Sequence, residues 1–194
     1  WDVETGTVVR RMVGHTGSVL SLAFHPDGLR AVSCGEDFTA RLWDLETGSE
    51  LQHLNGATLM QSLAIQPDGS NLVVEFGGSL FIKEFDQWSD TGYLIIDPTG
   101  GVDTVTYDAT ALAFAPSGEF ALSGLQNGAV MLWTMTADHA AHRYTDPAIS
   151  TDFATFDLRA DGRRMAVGTV DTGEVLLWDT DPQSPTYATI RTRL

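Results

Sequence analysis

The sequence predicts an all-β fold built from about four similar units, and two observations carry this prediction. One apolar block that ends in a turn recurs along the chain, as "LAFHPDG" at 22–28, "LAIQPDG" at 63–69, "LAFAPSG" at 112–118 and "FDLRADG" at 156–162. An aromatic residue closes each unit, with successive spacings of 42, 42, 48 and 45 residues between Trp1, Trp43, Phe85, Trp133 and Trp178. Such a period is typical of arrays in which each unit buries its apolar face against the next.

Within a unit, short runs with strand-like alternation are separated by turn residues. In the first unit these runs are 19–24, 31–33 and 40–43, and they are rich in residues suited to strands. The first turn of each unit pairs a small polar residue with glycine, which tolerates the positive φ of a tight hairpin: Asp27-Gly28, Asp68-Gly69, Ser117-Gly118 and Asp161-Gly162. Each unit is therefore predicted to contain at least three antiparallel strands.

Residues 14–44, "GHTGSVLSLAFHPDGLRAVSCGEDFTARLWD", combine a Gly-His pair, a Pro-Asp-Gly turn, an Asp-x-Thr turn and a Trp-Asp ending in register. With this combination the chain resembles the WD40 repeat family, and the resemblance covers essentially the whole sequence. It implies a WD40 β-propeller of about four four-stranded antiparallel blades, in which the start of each repeat supplies the outer strand of the preceding blade. The candidate outer strands are then 7–12, 49–54, 92–97, 141–145 and 186–191.

This organisation predicts the outer strand of a preceding blade within residues 1–13, followed by four blade units. The units are expected at about 14–54, 55–97, 98–145 and 146–194. Because the last unit already has its own outer strand, the strand at 7–12 has no free place there. We therefore expect an incomplete part of a larger ring, of six to eight blades, within a longer bacterial-type WD40 repeat protein.

Composition excludes several classes of function. Of the 194 residues 43% are hydrophobic and 19% are charged, which is ordinary for a globular domain. The formal net charge of −15 opposes binding to nucleic acid and to anionic membranes, because both carry phosphate charge that Lys and Arg must neutralise. With one cysteine, Cys34, no intrachain disulfide can form, and a cytoplasmic location is expected.

The family resemblance implies a buried hydrogen-bonded tetrad of His15, Ser33, Asp37 and Trp43. A His-Ser-Asp set could also form a hydrolase triad, but a buried indole N–H needs an acceptor, and the tetrad supplies one without any substrate. In the second unit the network is lost, with Glu75 and Phe85 at the aligned positions. The third unit keeps a Ser and a Trp, at Ser123 and Trp133, and the fourth keeps only Trp178.

The sequence supports no catalytic, metal or cofactor site. It contains no glycine-rich phosphate loop, nucleophile elbow or His-Glu-x-x-His motif. His139 and His142 have a His-x-x-His spacing, but no cysteine and no further ligand pattern accompany them. We therefore expect no cofactor, no metal and no small-molecule substrate.

Loops that enter the first strand and loops between the second and third strands share the face of a propeller that usually binds partners in the family. Most of these loops are small or polar, but Phe38, Leu59 and Phe76 are large and apolar. They are predicted to anchor a protein partner, since aromatic residues dominate binding hot spots. The alternative is that they fold inward over the channel.

Acidic residues adjoin this apolar cluster, namely Glu36, Asp37 and Glu75. They are predicted to form a rim that suits a basic segment of the partner. The function expected from the sequence is a non-catalytic protein-interaction scaffold, as a regulatory module of a larger protein. The alternatives are a hydrolase-like propeller enzyme with a site in the central channel and a purely architectural spacer.

Overall fold

The computed structural model describes residues 2–56, 58–76, 79–86, 88, 93–94, 109–125, 130–135, 141–144, 153–159, 161, 163–169, 173–181, 183–185 and 190–193. Strands are the only regular elements in these residues, and they form four sheets of four strands each. None of the described segments is a helix of the length and hydrophobicity that crossing a bilayer requires. The predicted all-β class is confirmed.

Each sheet is an antiparallel meander in which strands pair in chain order. The first sheet contains β1 (Val19–Phe24), β2 (Arg30–Gly35), β3 (Thr39–Asp44) and β4 (Glu50–Asn55). The second contains β5 (Leu63–Ile65), β6 (Asn71–Phe76), β7 (Ser79–Glu84) and β8 (Tyr93–Leu94). The third contains β9 (Ala109–Phe114), β10 (Phe120–Leu125), β11 (Val130–Thr134) and β12 (Ala141–Tyr144). The fourth contains β13 (Phe153–Leu158), β14 (Arg164–Thr169), β15 (Val175–Asp179) and β16 (Ile190–Arg193).

The hydrophobic core lies between successive sheets rather than inside any one of them. Side chains of a strand alternate between its two faces, so Ala40 and Leu42 of β3 both point toward the second sheet, where they pack with Leu63 and Phe85. A second cluster joins the second and third sheets, and a third cluster joins the third and fourth. Each sheet therefore depends on its neighbours for burial, which is the property that the repeat predicts.

One face of the first sheet is left open. Leu22 is 61% exposed and Phe24 is 67% exposed. In the second sheet the position equivalent to Leu22 is Leu63, which is only 4% exposed because the first sheet covers it. In the third sheet Leu112 holds this position and packs against the core of the second sheet. The open face is thus the surface on which a neighbouring sheet packs elsewhere in the molecule.

The segment before the first sheet has no strand partner among the described residues. Residues 7–12 form no strand in the described part of the chain and are exposed. Arg10 instead donates a hydrogen bond to the Thr47 carbonyl (3.1 Å), and Gly14 lies directly against Trp43. A strand needs a partner edge, and no strand among the described residues offers one here. The other four predicted outer strands overlap β4, β8, β12 and β16.

The second sheet departs from the predicted alignment. Two residues separate β6 from β7, whereas three separate β2 from β3, so the second unit is one residue shorter at this turn. The Leu45 N–H donates to the carbonyl of Leu29, the residue directly before β2. The Phe85 N–H donates to the carbonyl of Ser70, which directly precedes β6. Phe85 therefore corresponds to Leu45, and the structural counterpart of Trp43 is Lys83. The assignment of Phe85 to the tryptophan position was wrong, although Phe85 is buried.

Candidate functional site

The structure brings His15, Ser33, Asp37 and Trp43 together in one hydrogen-bonded chain. His15 Nδ1 lies 2.9 Å from Asp37 Oδ2, and His15 Nε2 lies 2.7 Å from Ser33 Oγ. The indole N–H of Trp43 donates to Ser33 Oγ at 2.8 Å. The chain thus links the entry to β1, strand β2, the following turn and strand β3.

Local sequence explains how these four side chains meet. Ser33 of β2 and Trp43 of β3 project from the same face of the first sheet, opposite the face that contacts the second sheet. Gly14 allows the chain before His15 to approach closely, because a methyl group at Gly14 would lie within 3.0 Å of Arg41, Trp43 and Glu50. The Gly-His pair therefore has a steric origin.

The geometry resembles that of a catalytic triad, yet the serine is buried. With His15 in its Nδ1–H tautomer, Asp37 accepts from Nδ1 and Ser33 donates its hydroxyl proton to Nε2. A nucleophile also needs access to a substrate, but Ser33 is buried, and one of its two lone pairs accepts the Trp43 N–H. The hydrogen bonds of Ser33 link strand β2 to strand β3 and to His15.

Asp37 is held in its ionised form. Burial opposes ionisation, but hydrogen bonds from the Thr16 N–H, the Thr39 hydroxyl and His15 outweigh it and hold the pKa of Asp37 well below its usual range. The Thr16 N–H lies 3.0 Å from Oδ2 and the Thr39 hydroxyl lies 2.8 Å from Oδ1. The carboxylate is therefore the centre of the network.

Sequence reasoning missed an extension of this network. Arg41 Nε donates to the Thr39 hydroxyl (3.1 Å), and its guanidinium also pairs with Glu50. Glu50 in turn contacts His53 Nδ1 at 2.8 Å. The spacing of two between Thr39 and Arg41 places both on one face of β3, which is the pattern that could have revealed them.

Phe38, in the turn that follows Asp37, has an unusual backbone. Its φ is +62°, and among the described residues it is the only non-glycine with a positive φ. This conformation costs an L-residue roughly 1–2 kcal/mol. Two hydrogen bonds hold it, from the Phe38 N–H to the Gly35 carbonyl (3.2 Å) and from the Gly56 N–H to the Phe38 carbonyl (2.7 Å). The ring nevertheless remains 45% exposed.

The other predicted anchors are placed less completely. Leu59 is half-buried in the segment that leads from Gly56 toward β5. Phe76 ends β6 at the same end of the second sheet, but its side chain lies outside the described residues. Glu36 is exposed beside Phe38, and its carboxylate lies 3.4 Å from the Ser18 N–H.

The predicted acidic rim is smaller than expected. The Asp37 carboxylate is consumed by the tetrad and its side chain is 4% exposed. Glu75 is 1% exposed and accepts a hydrogen bond from the Gln61 N–H at 3.1 Å. The carboxylates of Asp37 and Glu75 are thus buried and hydrogen-bonded within the protein, and of the three only Glu36 remains at the surface.

The sequence and the fold of the chain have matches among known proteins. Residues 6–44 and 99–134 match the WD40 family, described as WD domain, G-beta repeat. These two segments of the chain match WD40 repeats. The four sheets have the strand order of propeller blades, and the first of the two matched segments ends at the Trp43-Asp44 pair.

Three known proteins resemble this chain in sequence or in fold. The small ribosomal subunit protein RACK1 of Schizosaccharomyces pombe is 28% identical over 70% of this chain and 43% of its own length. Periodic tryptophan protein 2 of Arabidopsis thaliana is 28% identical over 93% of this chain and 19% of its own length. The Cps50 (Swd1) β-propeller domain of Myceliophteria thermophila matches the fold with a TM-score of 0.82 at 16% identity, over 100% of this chain and 64% of that domain. The chain is therefore part of a propeller and spans less than half the length of these two sequence relatives.

The WD40 blades keep the tetrad unequally. In the third blade the Trp133 N–H donates to Ser123 Oγ at 2.9 Å, as in the first blade. In the fourth blade the equivalent of Ser33 is Val167, and the buried Trp178 N–H has no partner in the described part of the chain. In the second blade the equivalent is Val74 rather than Glu75. In the second and fourth blades a valine replaces the serine, so this position is stabilised by apolar packing and not by a hydrogen bond.

The thiol of Cys34 and the possible metal ligands are the remaining candidates for chemistry. Burial and the neighbouring charge of Glu75 raise the pKa of Cys34 to about 12, so its thiol is unreactive in the folded blade. Within the residues that can be described, no cluster of three His, Cys, Asp or Glu side chains is placed to hold a metal ion. The side chains of His139 and His142 lie outside those residues.

Proposed function

We propose that this propeller segment is a non-catalytic scaffold that binds a protein partner on the loop face around Phe38, as a regulatory module of a larger protein. The observation that carries the proposal is the strained and exposed Phe38 ring. Backbone strain in a rarely populated region persists where the surrounding structure enforces it, and such positions cluster at binding sites. Glycine would fit the turn without strain, so the ring itself has a use.

Charge supports a basic partner segment. The chain has a formal net charge of −15, which accelerates encounter with a cationic partner. Glu36 adjoins Phe38 at the surface, so an aromatic anchor and a carboxylate lie side by side. Leu59 and Phe76 extend the proposed surface into the second blade.

A non-catalytic role is supported by the state of the one triad-like set. Ser33 is buried, its hydroxyl is hydrogen-bonded to His15 Nε2, and it accepts the Trp43 N–H. The proposal therefore assigns the His15 network to folding and Phe38 to binding.

Site-specific photo-crosslinking in cells tests the proposal. A benzophenone-bearing phenylalanine replaces Phe38 in the full-length protein, and the matched control places it at Leu29, which is 60% exposed in the β1–β2 turn. We expect a discrete protein adduct at position 38 that the Leu29 position does not form. Equal adducts at both positions, or none at position 38, would refute the proposed surface.

A further inference from the structure

The turn after the first strand carries a residue that, in the first three blades, lies at the junction with the next blade. His25, Gln66, Ala115 and Arg159 are equivalent, because each donates its N–H to the first residue of the second strand of its own blade. The carbonyls of His25, Gln66 and Ala115 also accept from the turn glycine three residues later. The three blade junctions can therefore be compared position by position.

At two junctions this residue bridges the blades. His25 Nε2 lies 3.2 Å from the carbonyl oxygen of Gly69 in the second blade, and its ring centroid lies 4.2 Å from that of Phe85. Gln66 Nε2 donates to the carbonyl of Gly118 in the third blade at 2.9 Å. A polar side chain thus fills the space between the rims of neighbouring blades.

At the third junction this residue is Ala115, whose methyl group can neither donate a hydrogen bond nor fill the space. A cleft of about 220 Å³ lies there, between the third and fourth blades. Its floor is apolar and comes from Ala115, Phe120, Leu122, Leu132 and Leu158. Its rim is polar and comes from Ser117, Glu119, Asp161, Arg163, Thr180 and Asp181.

The rim carries an excess of negative charge. Asp161 pairs with Arg159 at 3.3 Å, and Asp181 pairs with Arg163 at 3.5 Å. Glu119 is exposed, and no guanidinium or ammonium among the described residues lies within 4.0 Å of its carboxylate. An apolar floor with one unneutralised carboxylate at its edge suits a group that is apolar at one end and cationic at the other.

We propose that this cleft binds a peptide segment of a partner protein in which an apolar side chain lies next to Lys or Arg. The apolar side chain enters the space that His25 and Gln66 occupy at the other junctions, and the cation meets Glu119. The volume is below the ~300 Å³ at which pockets begin to hold whole small ligands, so it accommodates one side chain.

This site is separate from the surface around Phe38. The cleft is built from β-turns between first and second strands and between third and fourth strands, whereas Phe38 lies between a second and a third strand. These turns emerge at opposite ends of a meander, so the two sites lie on opposite faces of the blades. The inference does not rest on the function proposed for Phe38.

NMR of leucine methyl groups in the full-length protein tests the cleft. The probe is 2-phenylethylammonium, which joins one apolar group to one cation, and 2-phenylethanol is its neutral match. We expect saturable shifts of the Leu122 and Leu132 methyl signals, with a Kd on the order of 1 mM for a probe of nine heavy atoms. The ammonium probe should bind at least threefold more tightly than the alcohol.

Two variants and one control make the result decisive. Ala115→Gln supplies the side chain found at the second junction and should abolish the shifts. Glu119→Gln should abolish the preference for the ammonium probe while leaving the alcohol unchanged, and Arg163→Gln should retain that preference. Shifts that persist in Ala115→Gln, a preference that survives in Glu119→Gln, or methyl signals that move with protein concentration alone would overturn the proposal, the last by showing that a second copy fills the cleft.

Discussion

At the scale of single residues, Asp37 contributes to the response of the first blade to acid, as do Asp27, Asp44 and Glu50, whose pKa values are also lowered. The pKa of Asp37 is lower in the folded protein than the value of about 3.9 in an unfolded chain. The folded state therefore binds fewer protons than the unfolded state between these two values, so stability is fully present above about pH 4 and is lost as the pH falls further.

Asp37→Asn should reduce the loss of stability at low pH, because the contribution of Asp37 to it disappears. We expect the variant to lose about 2 kcal/mol of unfolding free energy at pH 7, since hydrogen bonds to a charged group are replaced by bonds to a neutral amide. Denaturant unfolding between pH 7 and pH 2 checks this, and the acid limb of the variant should be flatter than that of the wild type. An equally steep limb would show that another carboxylate is responsible.

Val167 offers the complementary test in the fourth blade. Val167→Thr places a hydroxyl where Ser33 and Ser123 accept the tryptophan N–H in other blades, and Trp178 lacks such an acceptor among the described residues. We expect unfolding free energy to rise by about 0.5–1.5 kcal/mol, the net value of one hydrogen bond. The matched control, Ser123→Ala, removes the acceptor of the Trp133 N–H and should lower the free energy of unfolding. A lower free energy of unfolding in Val167→Thr would mean that the new hydroxyl forms no hydrogen bond with Trp178.

The tetrad was the part of the site most open to prediction from sequence. His15, Ser33, Asp37 and Trp43 stand at spacings that a repeat fixes, so a motif could name them. Burial of Glu75 could not be predicted in the same way, because it depends on the Gln61 N–H from a segment outside any motif. The strain at Phe38 was indicated only indirectly, by an aromatic residue where glycine is common.

At the scale of elements, strand pairing followed the sequence except where a turn changed length. The repeated blocks predicted the sheets well, since alternation and turn glycines are local properties. The repeated blocks at 22–28 and 63–69 are 41 residues apart, so a spacing of 42 from Trp43 already places Phe85 one position too far. One missing residue between β6 and β7 adds the second position, and the spacing between aromatic residues conceals both shifts. Residues 7–12 differ for another reason, because strand formation there requires a partner edge.

Strand β2 carries a built-in reporter of its own opening. Cys34 is fully buried and its pKa is raised to about 12, so at pH 8 little of the reactive thiolate is present in the folded state. We expect labelling by a thiol-specific disulfide reagent to be undetectable within minutes in the native protein and rapid in denaturant. Asp37→Asn should accelerate labelling, because it weakens the network that holds β2 to β3. Labelling of the native wild type as fast as that of a free thiol would contradict the packing described.

At the scale of the whole molecule, the open face of the first blade has a consequence for assembly. Leu22 and Phe24 are exposed where Leu63 and Leu112 are covered by a neighbouring blade. An apolar face of this kind favours association. We expect these 194 residues, expressed alone, to sediment as oligomers, and the Leu22→Ser/Phe24→Ser double variant to shift toward monomer.

The control for this experiment is Leu51→Ser on β4, which is also exposed but lies on the outer strand of the blade. It should leave the oligomeric state unchanged. A compact monomer for the wild-type segment would mean that the open face needs no cover.

The central claim is that the Phe38 ring serves binding at the expense of stability, and Phe38→Gly tests it most directly. Removing the strain of roughly 1–2 kcal/mol, less the greater flexibility of unfolded glycine, about 0.5–1 kcal/mol, should raise unfolding free energy by about 0.5–1 kcal/mol. The Kd for the partner that is crosslinked at position 38 should rise at least tenfold, as measured by titrating that partner with the wild-type protein and with the Phe38→Gly variant. A variant that is more stable and binds the partner as tightly as the wild type would contradict the account.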